Sequence, residues 1–401
     1  MKHSIHCFML LLLAGTAAAW NHDPEEDMDP YQLIATKGYP AQSFEVQTDD
    51  GYRLTLYRIP PKDDGESHPV VFLQHGLLMS CTCWLVNNKQ ESLAYLLADA
   101  GYDVWLGNFR GSTYSRQHAW LSTSSSEYWQ FSWDEMAEYD LKTMINFALE
   151  TSGASDLYYI GHSEGTLTAF AKFSDDLEFA KKIRHFFALA PVYYVNHCRG
   201  LVKLIGEQTK LISWVLYEIG YNEFLPKSWI NKVLAKLICG SVWTDPLCEN
   251  VLFLIVGHDS TGLNVTRIPV YLSHTPAGTS TRNMVHFGQL VNHNKVRHYD
   301  HGSSKKNNQF YGQPSPPAYN VSKMQVPVTL YWGDNDWLAD PADIAQLLTQ
   351  LPSMYQNNWI QSFDHVDFVW GVKAAELIYK PLIQLIEKDR LEGPLKSPHT
   401  C

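Results

Sequence analysis

Leu157-Tyr158-Tyr159-Ile160-Gly161-His162-Ser163-Glu164-Gly165-Thr166 is the stretch that decides how this 401-residue chain folds. Its first four residues are aromatic or branched and read as a buried strand, while Leu167-Thr168-Ala169-Phe170-Ala171, just beyond it, reads as a helix. Between the two stands Gly-x-Ser-x-Gly. Glycines on either side let strand and helix approach closely, so the serine sits on a strained, exposed turn. The pentapeptide alone decides little, because Gly and Ser are common in ordinary turns. A strand before it and a helix after it make Ser163 the candidate nucleophile.

On the N-terminal side, Phe44 to Ile59 alternates as an antiparallel hairpin turning at Asp49-Asp50-Gly51. Pro69 to Gln74 is an apolar strand running into His75-Gly76-Leu77-Leu78, and Tyr102 to Leu106 is another. Ser132-Trp133-Asp134-Glu135 reads as a capping box before a helix with Met136, Tyr139, Asp140, Thr143 and Phe147 on one mostly apolar face. On the C-terminal side, Val326 to Trp332 and Asn358 to Ile360 read as strands. Strand then helix, four or five times over, predicts an α/β fold with a mostly parallel central sheet, helices on both faces, and ligands beyond the carboxyl ends of the strands.

That alternation lapses between Val192 and Tyr319. Leu201, Leu204, Ile205, Ile212, Val215, Leu216 and Ile219 there share one side of a helix, which either packs on the domain below or borders an opening for a lipid. The expected organisation is a core in two parts, residues 20–191 and 320–401, with residues 192–319 inserted as a mainly helical cap or lid.

A formal charge of −11 argues against a nucleic-acid binder, since phosphate recognition needs a surplus of Lys and Arg. With 45% hydrophobic and 18% charged residues, disordered and fibrous classes are excluded too. Lys2 and His3, the apolar run from Cys7 to Gly15, and Ala17-Ala18-Ala19 have the three regions of a secretory signal peptide, predicted at residues 1–19. No stretch reaches membrane-spanning length, so a secreted or lumenal protein is expected. Asn264-Val265-Thr266 and Asn320-Val321-Ser322 are glycosylation sequons in keeping with that. Of the 7 cysteines, Cys7 falls in the signal segment. Cys81, Cys83, Cys198, Cys239, Cys248 and Cys401 remain, and Cys239 with Cys248 is the expected disulfide because a short loop containing Pro246 can bring them together.

A serine hydroxyl is a poor nucleophile until a histidine takes its proton and an acid fixes that histidine. Both partners are available downstream. Asp364-His365-Val366-Asp367 follows the last strand, and His365 stands out among the 17 histidines for that reason. For the acid, Asp334, Asp336 and Asp340 all follow the strand ending near Gly333; Asp334 reads equally as a turn residue and Asp340 as a helix cap before Pro341. His286, His293, His298 and His301 crowd the end of the cap, but no cysteine or carboxylate joins them at ordered spacing, and no metal site is expected.

Taken together, Gly38-Tyr39-Pro40, Gln74-His75-Gly76-Leu77-Leu78, Phe131-Ser132-Trp133-Asp134-Glu135-Met136, Gly161 to Gly165, Tyr271 to Ser280, Asp336-Trp337-Leu338-Ala339-Asp340-Pro341 and His365 to Trp370 resemble the acid lipase family of α/β-hydrolases, collinearly and over nearly all of the chain. The resemblance implies nucleophile, acid and base at Ser163, Asp336 and His365, with oxyanion donors in the backbone N–H groups of Leu77 and Glu164. It also implies a movable lid around Cys239 and Cys248, and hydrolysis of triacylglycerols or sterol esters at a lipid–water interface without a cofactor, in a secreted or lysosomal setting. Other readings on the same scaffold are a serine thioesterase or peptidase and a lipid-binding protein without turnover. The last should have lost the serine, histidine or acid, and none is lost.

One position departs from the family pattern, which has Gln where this chain has Glu164. An anion about 6 Å from a developing oxyanion costs on the order of 2–3 kcal/mol at an effective dielectric near 20. Activity is therefore expected to lean toward low pH, unless the side chain points to solvent or pairs with a base.

Overall fold

The computed structural model describes residues 22–200, 203, 222–225 and 262–395. The expected signal segment, Cys239 and Cys248, and the apolar stripe from Leu201 to Ile219 lie outside them. Strands β1 (Gln42–Gln47) and β2 (Tyr52–Ile59) form the antiparallel hairpin, with Gly51 at φ 96 closing its turn. After that the chain builds β3 (Val70–Gln74), β4 (Asp103–Gly107), the short β5 (Gln117–His118), β6 (Leu157–His162) and β7 (Ile183–Leu189). A two-stranded sheet joins β8 (Glu223–Phe224) to β9 (Thr279–Ser280), and β10 (Val328–Gly333) and β11 (Met354–Ile360) complete the set among the described residues.

The main sheet runs in the order β1, β2, β4, β3, β6, β7, β10, β11, with β5 on β2. From β4 to β11 every pairing is parallel; only the pairings of β2 are antiparallel. β3, β4 and β6 are buried at every position. A parallel strand covered on both faces has no polar side, which is why these three read as unbroken apolar runs. β11, at the sheet edge, alternates instead, and Trp359 stays half exposed. It begins four residues before Asn358, where the polar Gln356 and Asn357 hid its start.

The predicted capping box forms: the Ser132 N–H donates to Glu135 at 2.7 Å, and the Asp134 N–H to Ser132 Oγ at 3.3 Å. The helix behind it opens with a wide turn, Met136–Asp140, continues as Leu141–Ser152 and stops at Gly153, φ 64. Asp140, expected on a mostly apolar stripe, is buried for a different reason. It accepts from Arg110 Nε at 2.8 Å, while the same guanidinium reaches Asp50 in the hairpin turn at 2.6 and 2.9 Å and lies 3.9 Å from the centre of the Tyr52 ring. One buried fork thus ties hairpin, loop and helix.

Because β7 pairs with β10, the chain leaves the sheet after Leu189 and returns to the neighbouring position at Val328. Cys81 and Cys83 lie in the turn Cys81–Trp84, just beyond the loop that follows β3. Both are buried thiols, and burial pushes Cys81 up to about 12, so neither is a reactive group.

Candidate active site

Ser163 stands between β6 and the helix Glu164–Asp175 with φ 54 and ψ −118, a conformation that costs a non-glycine residue about 1–3 kcal/mol. The flanking glycines make it attainable. A Cβ on Gly161 would fall 2.7 Å from the Gly165 carbonyl oxygen, and one on Gly165 would fall 2.6 Å from that of Gln74. The turn is then fixed from below: the Ser163 N–H donates to the Leu189 carbonyl at 3.1 Å, and Thr166 Oγ1 donates to the Ser163 carbonyl at 2.6 Å.

The three acids left open by the sequence separate by their partners. Asp334 accepts from the Ser362 N–H, and Asp340 caps the helix Pro341–Leu348 through the Ala342 N–H at 2.9 Å. Asp336, buried, accepts from the N–H groups of Leu338 and Ala339 at 2.8 Å each and from His365 Nδ1 at 2.9 and 3.0 Å. Burial would raise this carboxyl, but the His365 ring and the two N–H groups together hold it below the usual carboxylate range. On the other side of the ring, His365 Nε2 accepts from Ser163 Oγ at 2.7 Å. Hydroxyl, imidazole and carboxylate, carried by the ends of β6, β11 and β10, are therefore in one hydrogen-bonded line.

The loop after β3 crosses directly beside the serine: a Cβ on Gly76 would sit 2.8 Å from that of Ser163. The Gly76 carbonyl is held by His75 Nδ1–H at 2.9 Å and the Met79 N–H at 3.1 Å, and His75 Nε2 accepts from the Phe109 N–H at 3.1 Å. In a trans peptide the following N–H points opposite to its carbonyl, so this anchoring turns the Leu77 N–H away from His75. The Glu164 N–H opens a helix and has no intrahelical acceptor. Among the described residues neither N–H donates to a protein group.

Two residues around the line had no signal in the sequence. His162 donates Nε2–H to the His365 carbonyl at 2.9 Å, and burial, with the neighbouring His365, pushes it down to about 3, so it stays neutral. Asn283, from the helix Thr281–Val291, donates Nδ2–H to the Glu164 carboxyl at 2.6 Å. Glu164 is 2% exposed, so it neither points to solvent nor pairs with a base; its partner is a neutral amide. Burial pushes its carboxyl up to about 7, with the Asn283 hydrogen bond pulling the other way.

His286 lies between Ser132 Oγ at 3.0 Å and the Arg297 carbonyl at 2.9 Å. Among the described residues no three His, Cys, Asp or Glu side chains are grouped to hold a metal ion, and no helix is long and apolar enough to cross a membrane.

Comparison with known proteins identifies the family. A partial alpha/beta-hydrolase lipase region is matched over residues 30–88 and the alpha/beta hydrolase fold over residues 69–218. The chain is 48% identical to the lipase lipl-1 of Caenorhabditis elegans, over 96% of this chain and 98% of that one. It is 44% identical to the lysosomal acid lipase/cholesteryl ester hydrolase of Macaca fascicularis, over 91% and 92% of the two chains. With the gastric triacylglycerol lipase of Mus musculus it shares 42% identity, over 92% and 93%. The chain accordingly belongs to the acid lipase family of the α/β-hydrolases and is a lipase, an enzyme that hydrolyses carboxylic esters.

Proposed function

We propose that the chain hydrolyses ester bonds of neutral lipids, triacylglycerols or sterol esters, through an acyl-enzyme formed on Ser163. The observation that carries this reading is the line from Ser163 Oγ through His365 to Asp336, 2.7 Å on one side of the ring and 2.9 Å on the other. His365 Nε2 takes the hydroxyl proton as Oγ attacks the ester carbonyl, and Asp336 keeps the ring in the tautomer whose Nε2 is free to accept it. The tetrahedral oxyanion is received by the N–H groups of Leu77 and Glu164. His365 then returns the proton to the leaving alkoxide, and water releases the fatty acid by the same steps in reverse order. The names of the Macaca and Mus relatives support neutral lipid as the substrate class.

The same reading assigns residues 192–319 to a cap over this site, residues 1–19 to a signal peptide, and the protein to a secreted or lysosomal lumen. Cys239 and Cys248 would close a disulfide in that cap. Asn264 in the cap and Asn320 at the start of the second core part are the glycosylation sites of this reading; in both sequons the hydroxyl of the third residue donates to the Asn side-chain oxygen, at 2.7 and 2.5 Å, leaving Nδ2 for a sugar.

A fluorophosphonate probe tests the chemistry. It is expected to label Ser163, and Ser163→Ala is expected to lose labelling and at least about a thousandfold in turnover. A protein that binds lipid but is never labelled at any pH would overturn the reading. A panel of triglycerides and cholesteryl esters then separates the two substrate classes.

A further inference from the structure

The Glu164 carboxyl lies one residue from the proposed nucleophile, and among the described residues no positively charged side chain pairs with it. On the Asn283 helix, Arg282 is directed to the Gln130 carbonyl at 3.1 Å and to Glu135 at 3.5 Å, and His286 is held by Ser132 and Arg297. On the capped turn, Asp134 accepts from the Tyr299 N–H and the Tyr319 hydroxyl at 2.8 and 2.9 Å. From β6 and the loops beyond β3, β10 and β11 come His162, His75, Asp336 and His365, each engaged in the bonds given above. On its own helix, Lys172 pairs with Glu138 and Asp176. Among the described residues the single side-chain hydrogen bond to Glu164 is the one from Asn283. Asn283 is itself fixed, fully buried, with Oδ1 accepting from the Trp133 N–H at 2.8 Å and Nδ2 also donating to Thr279 Oγ1 at 3.1 Å.

We propose that the Glu164 side chain, clasped by Asn283, sets the alkaline limit of turnover at Ser163: neutral, it leaves the oxyanion pocket undisturbed, and ionised, it opposes the negative charge that develops there. This rests on Ser163 being the nucleophile. The charge matters because the N–H of the same residue is one of the two proposed oxyanion donors, so the carboxylate and the developing oxyanion are neighbours in a site from which water is largely excluded. At a separation near 6 Å and an effective dielectric near 20, the repulsion slows the chemical step by roughly tenfold to a hundredfold. The proton that must leave goes to bulk solvent; no other group in the reaction changes its role. Asn283 is a positioning residue in this scheme. It supplies the donor that makes ionisation attainable, and it connects the proton on Glu164 to the helix Thr281–Val291.

The test is the pH profile of kcat/KM on a water-soluble short-chain ester, which keeps the lipid interface out of the measurement, paired with the pH profile of fluorophosphonate labelling. The wild-type protein is expected to lose activity on the alkaline side through a midpoint of about 7. Glu164→Gln is expected to remove that limb, so that its rate relative to wild type grows at least about tenfold between pH 5 and pH 9. Glu164→Ala, which leaves a gap and not a charge, should do the same. Asn283→Leu, close in volume and without a donor, should move the limb to higher pH by about one unit. A wild-type profile with no fall near neutrality, or variant profiles superimposable on it, overturns the proposal while labelling of Ser163 leaves the hydrolase reading standing. Absence of labelling and turnover at every pH overturns both.

Discussion

The loop that carries Asp336 and the helical turn that carries Glu164 each bury a carboxyl beside the same serine, and they do opposite things with it. Asp336 receives three donors, two backbone N–H groups and the His365 imidazole, and it is held below the usual carboxylate range. Glu164 receives one neutral donor and is pushed up to about 7. Burial is equal in the two places. What decides the charge is the number and kind of hydrogen-bond donors, because each one stabilises the ionised form more than the neutral one.

The strongest attack on this comparison is Asp336→Asn, which keeps the shape of the loop and removes its charge. It should cost on the order of 10³–10⁴ in kcat with little change in KM, since an amide there no longer imposes the productive tautomer on His365. Activity close to wild type would mean that Asp336 only braces its loop.

A smaller effect, with opposite signs at the two sites, is the dependence of stability on pH. Asp336, lowered on folding, contributes stability present above its unfolded value and lost as pH falls through the folded one. Glu164, raised to about 7, contributes stability fully present below its unfolded value and lost as pH rises through about 7. Wild type should therefore lose on the order of 3 kcal/mol between pH 4 and pH 8 that Glu164→Gln does not lose. Denaturant titrations of both proteins at the two pH values measure it, and equal losses would mean that the carboxyl is ionised throughout. The smallest expected change is Asn283→Ala. By orphaning the buried Trp133 N–H it should lower stability by about 1–3 kcal/mol at acid pH, read from the same titrations.

Most of the sheet was legible in the chain because strands buried on both faces leave continuous apolar runs; β7 went unread, its run being broken by Arg184 and His185, and the edge strand β11, with one wet side, started earlier than its apolar residues indicated. Ser163 and His365 were legible from their places at strand ends. The acid was not legible from spacing alone: Asp334, Asp336 and Asp340 all follow one strand, and which of them meets a ring is decided by side-chain direction in a loop, which carries no periodic signal. Asp140 looked like part of an apolar stripe because its partner, Arg110, sits in a separate loop. Asn283 was silent for the same reason on a larger scale, 119 residues from Glu164. Contacts of this kind exist only once the fold has brought distant segments together.

Since β7 and β10 lie side by side in register, Phe186 opposite Val328 and Leu189 opposite Tyr331, the sheet keeps no record of how long the excursion between them is. An excursion of another length could be joined at these two anchor points without altering the pairing of β7 with β10, provided that it renews the contacts made with the core, such as Asn283 on Trp133 and Tyr299 on Asp134. Any such chimera must still bring an amide to the place Asn283 occupies, or it will inherit the acid beside Ser163 without its companion.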